Sequence, residues 1–159
     1  MMTLISMPNL SAYYFRKFIS PVLLFCAALA LSACGAEESS SNIERGVVYQ
    51  VSRSSEAIAA IRHIYNQREA DPQIHIEVVA VGDGISFLVD GAKDERGNTY
   101  ASMIDSLMLE GVIFKVCRNT LNAKNLKEAD MTLGVEFVDA GIVEITRLQL
   151  EKGYAYIRP

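Results

Sequence analysis

Five short runs rich in β-branched residues, each parted from the next by a segment of helical character, constrain residues 46–159 more than any other feature of the chain. Gly46 to Val51 is the first run. Ser54 or Ser55 can cap the helix that follows, with Glu56 well placed in its first turn. Ile58, Ile61, Ile64 and Tyr65 fall on one helical face, and Asp71-Pro72 ends the element. Ile74 to Val81 is the second run. It alternates at first and then becomes apolar throughout. Gly82-Asp83-Gly84 forms a loop, Ile85 to Val89 a short apolar segment, and Gly91 to Asn98 a polar, turn-rich stretch.

Thr99 opens the clearest helix, in which Tyr100, Met103, Ile104, Leu107 and Met108 make an apolar stripe stopped at Gly111. Val112 to Cys117 is the third strand. Asn119 or Thr120 can cap a short irregular helical stretch that runs to about Asp130. Gly134 to Val138 is the fourth strand, Ile142, Ile145 and Leu148 mark a helix ending at Lys152-Gly153, and Tyr154 to Ile157 is the fifth strand. Short strands alternating with helices imply right-handed βαβ units. The expected fold is α/β, a three-layer α/β/α sandwich with a flavodoxin-like, mainly parallel five-stranded sheet.

Residues 1–33 have the character of an export signal. Arg16 and Lys17 supply positive charge, and Phe18 to Ala33 is almost wholly apolar. A membrane-spanning helix needs about 20 apolar residues, and this run ends sooner, at a small-residue cleavage site. Leu31-Ser32-Ala33-Cys34-Gly35 resembles the bacterial lipobox in every position. That resemblance implies cleavage before Cys34, lipidation of Cys34, and anchoring to the membrane through the lipid. Gly35 is not the aspartate that retains enteric lipoproteins in the inner membrane, so the expected location is the periplasmic face of the outer membrane. Residues 34–45 are small and polar, as in a flexible tether, and 46–159 make one domain.

The full chain carries 15 basic and 19 acidic residues. Removal of Arg16 and Lys17 with the signal leaves 13 and 19, a net charge of −6. An acidic domain without a basic stripe argues against a nucleic-acid partner. Of three cysteines, Cys26 leaves with the signal and Cys34 takes lipid, so Cys117 is left unpaired where an oxidising compartment normally pairs thiols.

In open α/β sheets, ligands sit beyond the carboxyl ends of the strands. Three segments of this sequence fall there: Ser52 to Ser55, Gly82-Asp83-Gly84, and Cys117-Arg118-Asn119-Thr120. Cys117 ends a strand just before a helix start, with Arg118 beside it, a setting that favours the reactive thiolate. A buried structural cysteine is the competing reading. Asp83 is either a polar group of the cleft or an ordinary turn residue.

Other chemistries fall away. There is no Cys-x-x-Cys pair, and a phosphatase-type loop would need arginine where Ala123 stands. Phe87 occupies the place of the third glycine of a dinucleotide fingerprint, and no Walker-type loop is present. His63 and His75 with one thiol make a poor metal site. Neither metal nor organic cofactor is expected.

The segment Glu110-Gly111-Val112-Ile113-Phe114-Lys115-Val116-Cys117-Arg118-Asn119-Thr120-Leu121 resembles the surroundings of the conserved cysteine in DsrE/DsrF-like proteins. The likeness runs from about residue 46 to 159. It takes in the first strand, the Gly82 to Gly84 loop, the Gly141-Ile142-Val143-Glu144 helix start and the Gly153 to Pro159 tail. It implies trimers or hexamers, and in sulfur-relay members a persulfide carried on the cysteine matching Cys117, exchanged with a sulfur donor and acceptor protein. On this view Cys117 is the sulfur carrier, with Arg118 and neighbouring amides stabilising the anionic sulfur. Gly82, Asp83, Gly84, Asn119 and Thr120 line the cleft, while Tyr154 and Tyr156 offer surface for subunit contacts. The alternatives are a non-catalytic ligand-binding or assembly module in which Cys117 is structural, and a redox-sensing thiol.

Overall fold

The computed structural model describes residues 45–159. The cleavage site, Cys34 and nearly all of the tether therefore lie outside the described residues. Within them the strands are β1 (Gly46–Val51), β2 (His75–Ala80), β3 (Ile113–Cys117), β4 (Glu136–Val138) and β5 (Ala155–Ile157). The helices are α1 (Ala57–Ala70), α2 (Tyr100–Leu109), α3 (Arg118–Ala123) and α4 (Gly141–Glu151), with 3-10 turns at Ser54–Glu56, Gly82–Leu88 and Glu128–Asp130.

The sheet order is β4-β3-β2-β1-β5 and every pairing is parallel. Val47 lies opposite Ile76, Val78 opposite Phe114, and Val116 opposite Phe137. Consecutive strands step from β1 outward to β4. The chain then crosses back through α4, which packs on β1, β2 and β3, to lay β5 on the far side of β1.

Period-two alternation splits the strands between two unequal cores. One face presents Val47, Tyr49, Val51, Ile76, Val78, Ala80, Phe114 and Val116 to α1, α2 and the Gly82–Leu88 turn. Here Phe87 sets its ring edge-on to Tyr100 and Phe114, at centroid distances of 5.8 and 6.4 Å. The other face has a smaller apolar cluster: Val48 and Val79 under Ile145 and Leu148 of α4, closed by Tyr154. With helices on both faces the fold is the flavodoxin-like three-layer sandwich.

Local details differ from expectation. Neither Ser54 nor Ser55 caps a helix; both lie inside the 3-10 turn, whose N-cap is Arg53. The chain enters the turn one residue earlier instead, and the buried Glu56 carboxylate folds back to accept the amides of Ser52 and Arg53 at 2.8 and 3.0 Å. Nor does Asn119 or Thr120 cap α3, which begins at Arg118 with Cys117 as its N-cap. The Gly82-Asp83-Gly84 loop and the apolar segment after it form one continuous 3-10 turn. Tyr154 is 5% exposed and belongs to the core, leaving Tyr156 as the exposed aromatic of the tail.

Candidate functional site at the carboxyl edge of the sheet

The three strand-end segments converge, each tied to the next. Glu56 anchors the first: besides the two amides, its Oε1 meets Arg53 at 2.8 Å and Arg158 at 3.5 Å. Burial opposes the charge, yet the amides and guanidinium groups outweigh it and hold the carboxyl below its ordinary range. From this turn the Ser54 amide donates to Asp83 Oδ2 at 3.3 Å, and Lys124 donates to Asp83 Oδ1 at 3.1 Å. The Ser54 hydroxyl, then Lys124 and the Ser54 amide, keep the exposed Asp83 carboxyl at about 2. Gly84 crosses the end of β1 so closely that a Cβ would collide with the Val51 carbonyl. The Gly82 amide donates to Thr120 Oγ1 at 3.0 Å and so ties the second segment to the third.

Cys117 is the last residue of β3 and is 6% exposed. Its side chain lies on the α4 face of the sheet, where the Gly141 amide donates to Sγ at 3.3 Å. The Sγ–Asp139 carbonyl distance, 3.9 Å, is at the outer limit for a thiol hydrogen bond. A side chain on Gly141 would run into Val81, Val79 and Cys117 Cβ, so the glycine is what lets the helix amide approach the sulfur. Burial pushes the thiol up. The Thr120 hydroxyl and the amides of Gly141, Thr120 and Asn119 pull it down further, and the net position is below the ordinary cysteine value. Of these donors Gly141 has the clearest geometry, because the Asn119 amide is already committed to the Asp139 carbonyl at 3.1 Å.

Arg118 turns elsewhere. Its Nε donates to Glu128 at 2.7 Å, and its Nη1 donates to Asp139 Oδ1 at 3.0 Å and to the Phe137 carbonyl at 3.3 Å. The guanidinium also lies 5.8 Å from the centre of the Phe137 ring. Its charge is spent on two carboxylates, and the hydrogen bond that the sulfur accepts comes from the Gly141 amide. Asn119 is exposed and contributes its backbone to the loop. Among the described residues, no cluster of His, Cys, Asp and Glu has the makings of a metal site, and no helix is long and apolar enough to cross a membrane.

The sequence profile of the DsrE/DsrF-like family matches residues 39–159. The chain belongs to that family. A solved relative from Methanobacterium thermoautotrophicum, the protein of unknown function MTH1491, is 33% identical, with a TM-score of 0.62 over 72% of this chain and 98% of its own. That protein is thus little more than the domain described here, standing alone. The ychN protein from E. coli shares the fold at 17% identity, covering 73% of this chain and 98% of its own with a TM-score of 0.60. BT1422 from Bacteroides thetaiotaomicron does so at 13% identity, 77% and 100% coverage and a TM-score of 0.55. Comparison with curated proteins finds no match.

In this DsrE/DsrF-like domain several residues at or near the thiol are ones that sequence reasoning passed over: Asp139 and Gly141 beside the sulfur, Lys124 on Asp83, and a buried ionic group below. Lys115, two residues before Cys117 on the same face, places Nζ 2.5 Å from both Glu77 and Glu144 and 4.0 Å from Glu136. Lys115 and Glu77 are 7% and 8% exposed. The signal was present, since Lys115 interrupts an otherwise apolar strand and Glu77 sits in another.

Proposed function

We propose that this protein is an exported, membrane-tethered sulfur-relay protein, lipidated at Cys34, that carries sulfane sulfur as a persulfide on Cys117. The observation that carries the reading is the Gly141 amide aimed at a strand-end thiol whose acidity is raised despite burial. Family membership supports it, because DsrE/DsrF-like proteins are generally sulfur-relay proteins. The Cys117 thiolate attacks the outer sulfur of a donor persulfide R–S–SH. A new S–S bond forms at Sγ, the donor S–S bond breaks, and the electron pair leaves on the donor thiolate. The proton stays with the transferred sulfur and nothing is oxidised or reduced overall. The Cys117 persulfide then releases its proton to solvent, the Gly141 amide faces the inner sulfur of the resulting anion, and attack by an acceptor thiolate on the outer sulfur reverses the exchange and hands sulfur on.

Self-association belongs to the proposal. Ile142, Val143 and Leu150 on the outer side of α4 are 57%, 67% and 81% exposed, and Tyr156 of the edge strand β5 is 42% exposed. Exposed apolar surface of this kind supports a subunit contact, and trimers or hexamers are the assemblies we propose for it. The 6% exposure of Cys117 favours a second reading, an assembly or ligand-binding module with a structural thiol.

Intact mass spectrometry of residues 39–159, in which Cys117 is the sole cysteine, separates the two readings. Sulfur mass gained from polysulfide or thiosulfate, absent in Cys117→Ser, removable by reductant and passed to a second thiol protein, supports relay. No uptake, with resistance to alkylation until unfolding, establishes the structural thiol. Sedimentation of the same segment reads the oligomer, and mass analysis of the membrane-extracted full chain reads the lipid.

A further inference from the structure

We propose that Lys115 and Glu144 are positioning residues that set how the first turn of α4 meets the Cys117 sulfur. The inference rests on the reading of Cys117 as the working thiol. Residues 115 and 117 point to the same side of β3, as every second strand residue does, and residues 141 and 144 lie one turn apart on one face of α4. Strand and helix are therefore joined by two rungs in register. The lower is the Lys115 Nζ–Glu144 Oε1 pair at 2.5 Å, and the upper is the Gly141 amide on Cys117 Sγ at 3.3 Å.

The upper rung has no side chain of its own to hold it. Gly141 offers only backbone, and the sulfur is a weak acceptor, so the approach of amide to sulfur depends on where the helix is seated. The lower rung seats it. Lys115 is fixed from the β2 side by Glu77 at 2.5 Å, with the more exposed Glu136 of β4 at 4.0 Å. Glu144 is fixed by Arg147, whose Nε and Nη2 donate to it at 2.8 and 2.9 Å, and Glu151 at 3.5 Å backs Arg147 from the next turn. Around Cys117 itself the polar groups are the Gly141 amide, the hydroxyl and amide of Thr120, the Asn119 amide and the Asp139 carbonyl, while the adjacent charges, Arg118 with Glu128 and Asp139, are paired with one another.

Stability alone does not account for a lysine at this place. Buried ion pairs replaced by apolar residues of similar size commonly leave proteins as stable or more so. What a short, charge-assisted contact supplies is a single geometry, and this one lies directly below the thiol.

The test is the pH profile of Cys117 alkylation in residues 39–159, the segment that the family profile matches; a solved relative 98% covered by the match, itself spanning 72% of this chain, is a protein of such a domain alone. Glu144→Gln and Lys115→Met are compared with wild type and with Ile61→Ala. Ile61 lies in the core on the opposite face and serves as a destabilised control. The expected result is a midpoint displaced upward by at least half a pH unit in both variants, a drop of about three-fold in thiolate at neutral pH, with no displacement in Ile61→Ala. An acidic wild-type thiol whose midpoint is the same in Glu144→Gln overturns the positioning role and leaves the proposed function standing. A wild-type thiol that is not acidic, or reacts only after unfolding, overturns the proposed function itself. Should Lys115→Met fail to fold, Glu144→Gln carries the decision, because Lys115 keeps Glu77 in that variant.

Discussion

Replacing Glu144 by glutamine should cost stability at neutral pH and remove most of that cost in acid. Arg147 hydrogen bonds lower the Glu144 carboxyl, burial works against them, and Lys115 adds to the lowering, bringing it from an ordinary 4.5 to about 2. A carboxyl whose folded value is depressed stabilises the fold above its unfolded value, and that contribution is lost as pH falls through the folded value. For Glu144, with a side chain 12% exposed, the difference corresponds to about 3 kcal/mol, present above about pH 4.5 and gone near pH 2. A neutral glutamine oxygen accepts only weakly from Lys115 and Arg147 and no longer fixes the helix by a contact between opposite charges, so the expected loss at pH 7 is about 2–3 kcal/mol. That loss corresponds to roughly 10 °C in Tm for a domain of this size. Asp83, Asp94 and Glu56 are also lowered, so wild type and variant both weaken in acid. The informative quantity is the difference between their urea-unfolding free energies at pH 7 and at pH 3. It should shrink as pH falls, and two curves that stay parallel across that interval would refute the assignment.

Three further outcomes follow from the same contacts. Thr120→Val removes the acceptor of the Gly82 amide and a hydroxyl from the sulfur; it should cost about 1 kcal/mol and move the alkylation midpoint upward, measured by thermal melting and by iodoacetamide rates. Gly141→Ala drives a methyl into Val81, Val79 and Cys117; chemical denaturation should show about 1–3 kcal/mol of overpacking cost, and alkylation at neutral pH should slow. Leu148→Ala empties the centre of the small core under α4 and should cost about 2–5 kcal/mol, while amide exchange should rise in α4 well before it rises in α1.

Much of the sheet was legible because its strands are short runs rich in β-branched residues, buried on both faces and parted by turn signals. Val47, Tyr49 and Val51 face one way while Val48 faces the other, and the second and third strands repeat the pattern. The stripe from Tyr100 to Met108 placed α2 equally well. Helix starts were harder, since serine near a strand end is an ordinary capping signal. Here the serines fall inside a 3-10 turn that starts after Arg53, and Glu56 folds back onto the amides of Ser52 and Arg53. At the site, a strand-end Cys117 and its meeting with the Gly82 loop followed from topology. The partners of the thiol did not, because Asp139 and Gly141 come to it only when α4 crosses back over the sheet. Arg118 shows the same limit: adjacency along the chain places a cation next to a thiol, but rotamer and neighbours took it to Glu128 and Asp139.

The two faces of the sheet divide the work. The α1/α2 face holds the larger, wholly apolar core and supplies most of the burial that stabilises the domain. Polar groups on the α4 face, Glu77, Lys115 and Cys117, occupy positions where apolar residues would pack at no loss. A face already stabilised from behind can carry such groups, and the carboxyl end of β3 is where the parallel sheet opens toward ligands. The charged pair, the glycine helix start and the thiol then form a graded path from buried ion pair to sparingly exposed sulfur. A domain that needed this face only for stability would fill positions 77, 115 and 144 with aliphatic residues. That they are ionic, mutually paired and stacked beneath the one thiol among the described residues is what ties the packing of α4 to the position of the Cys117 sulfur.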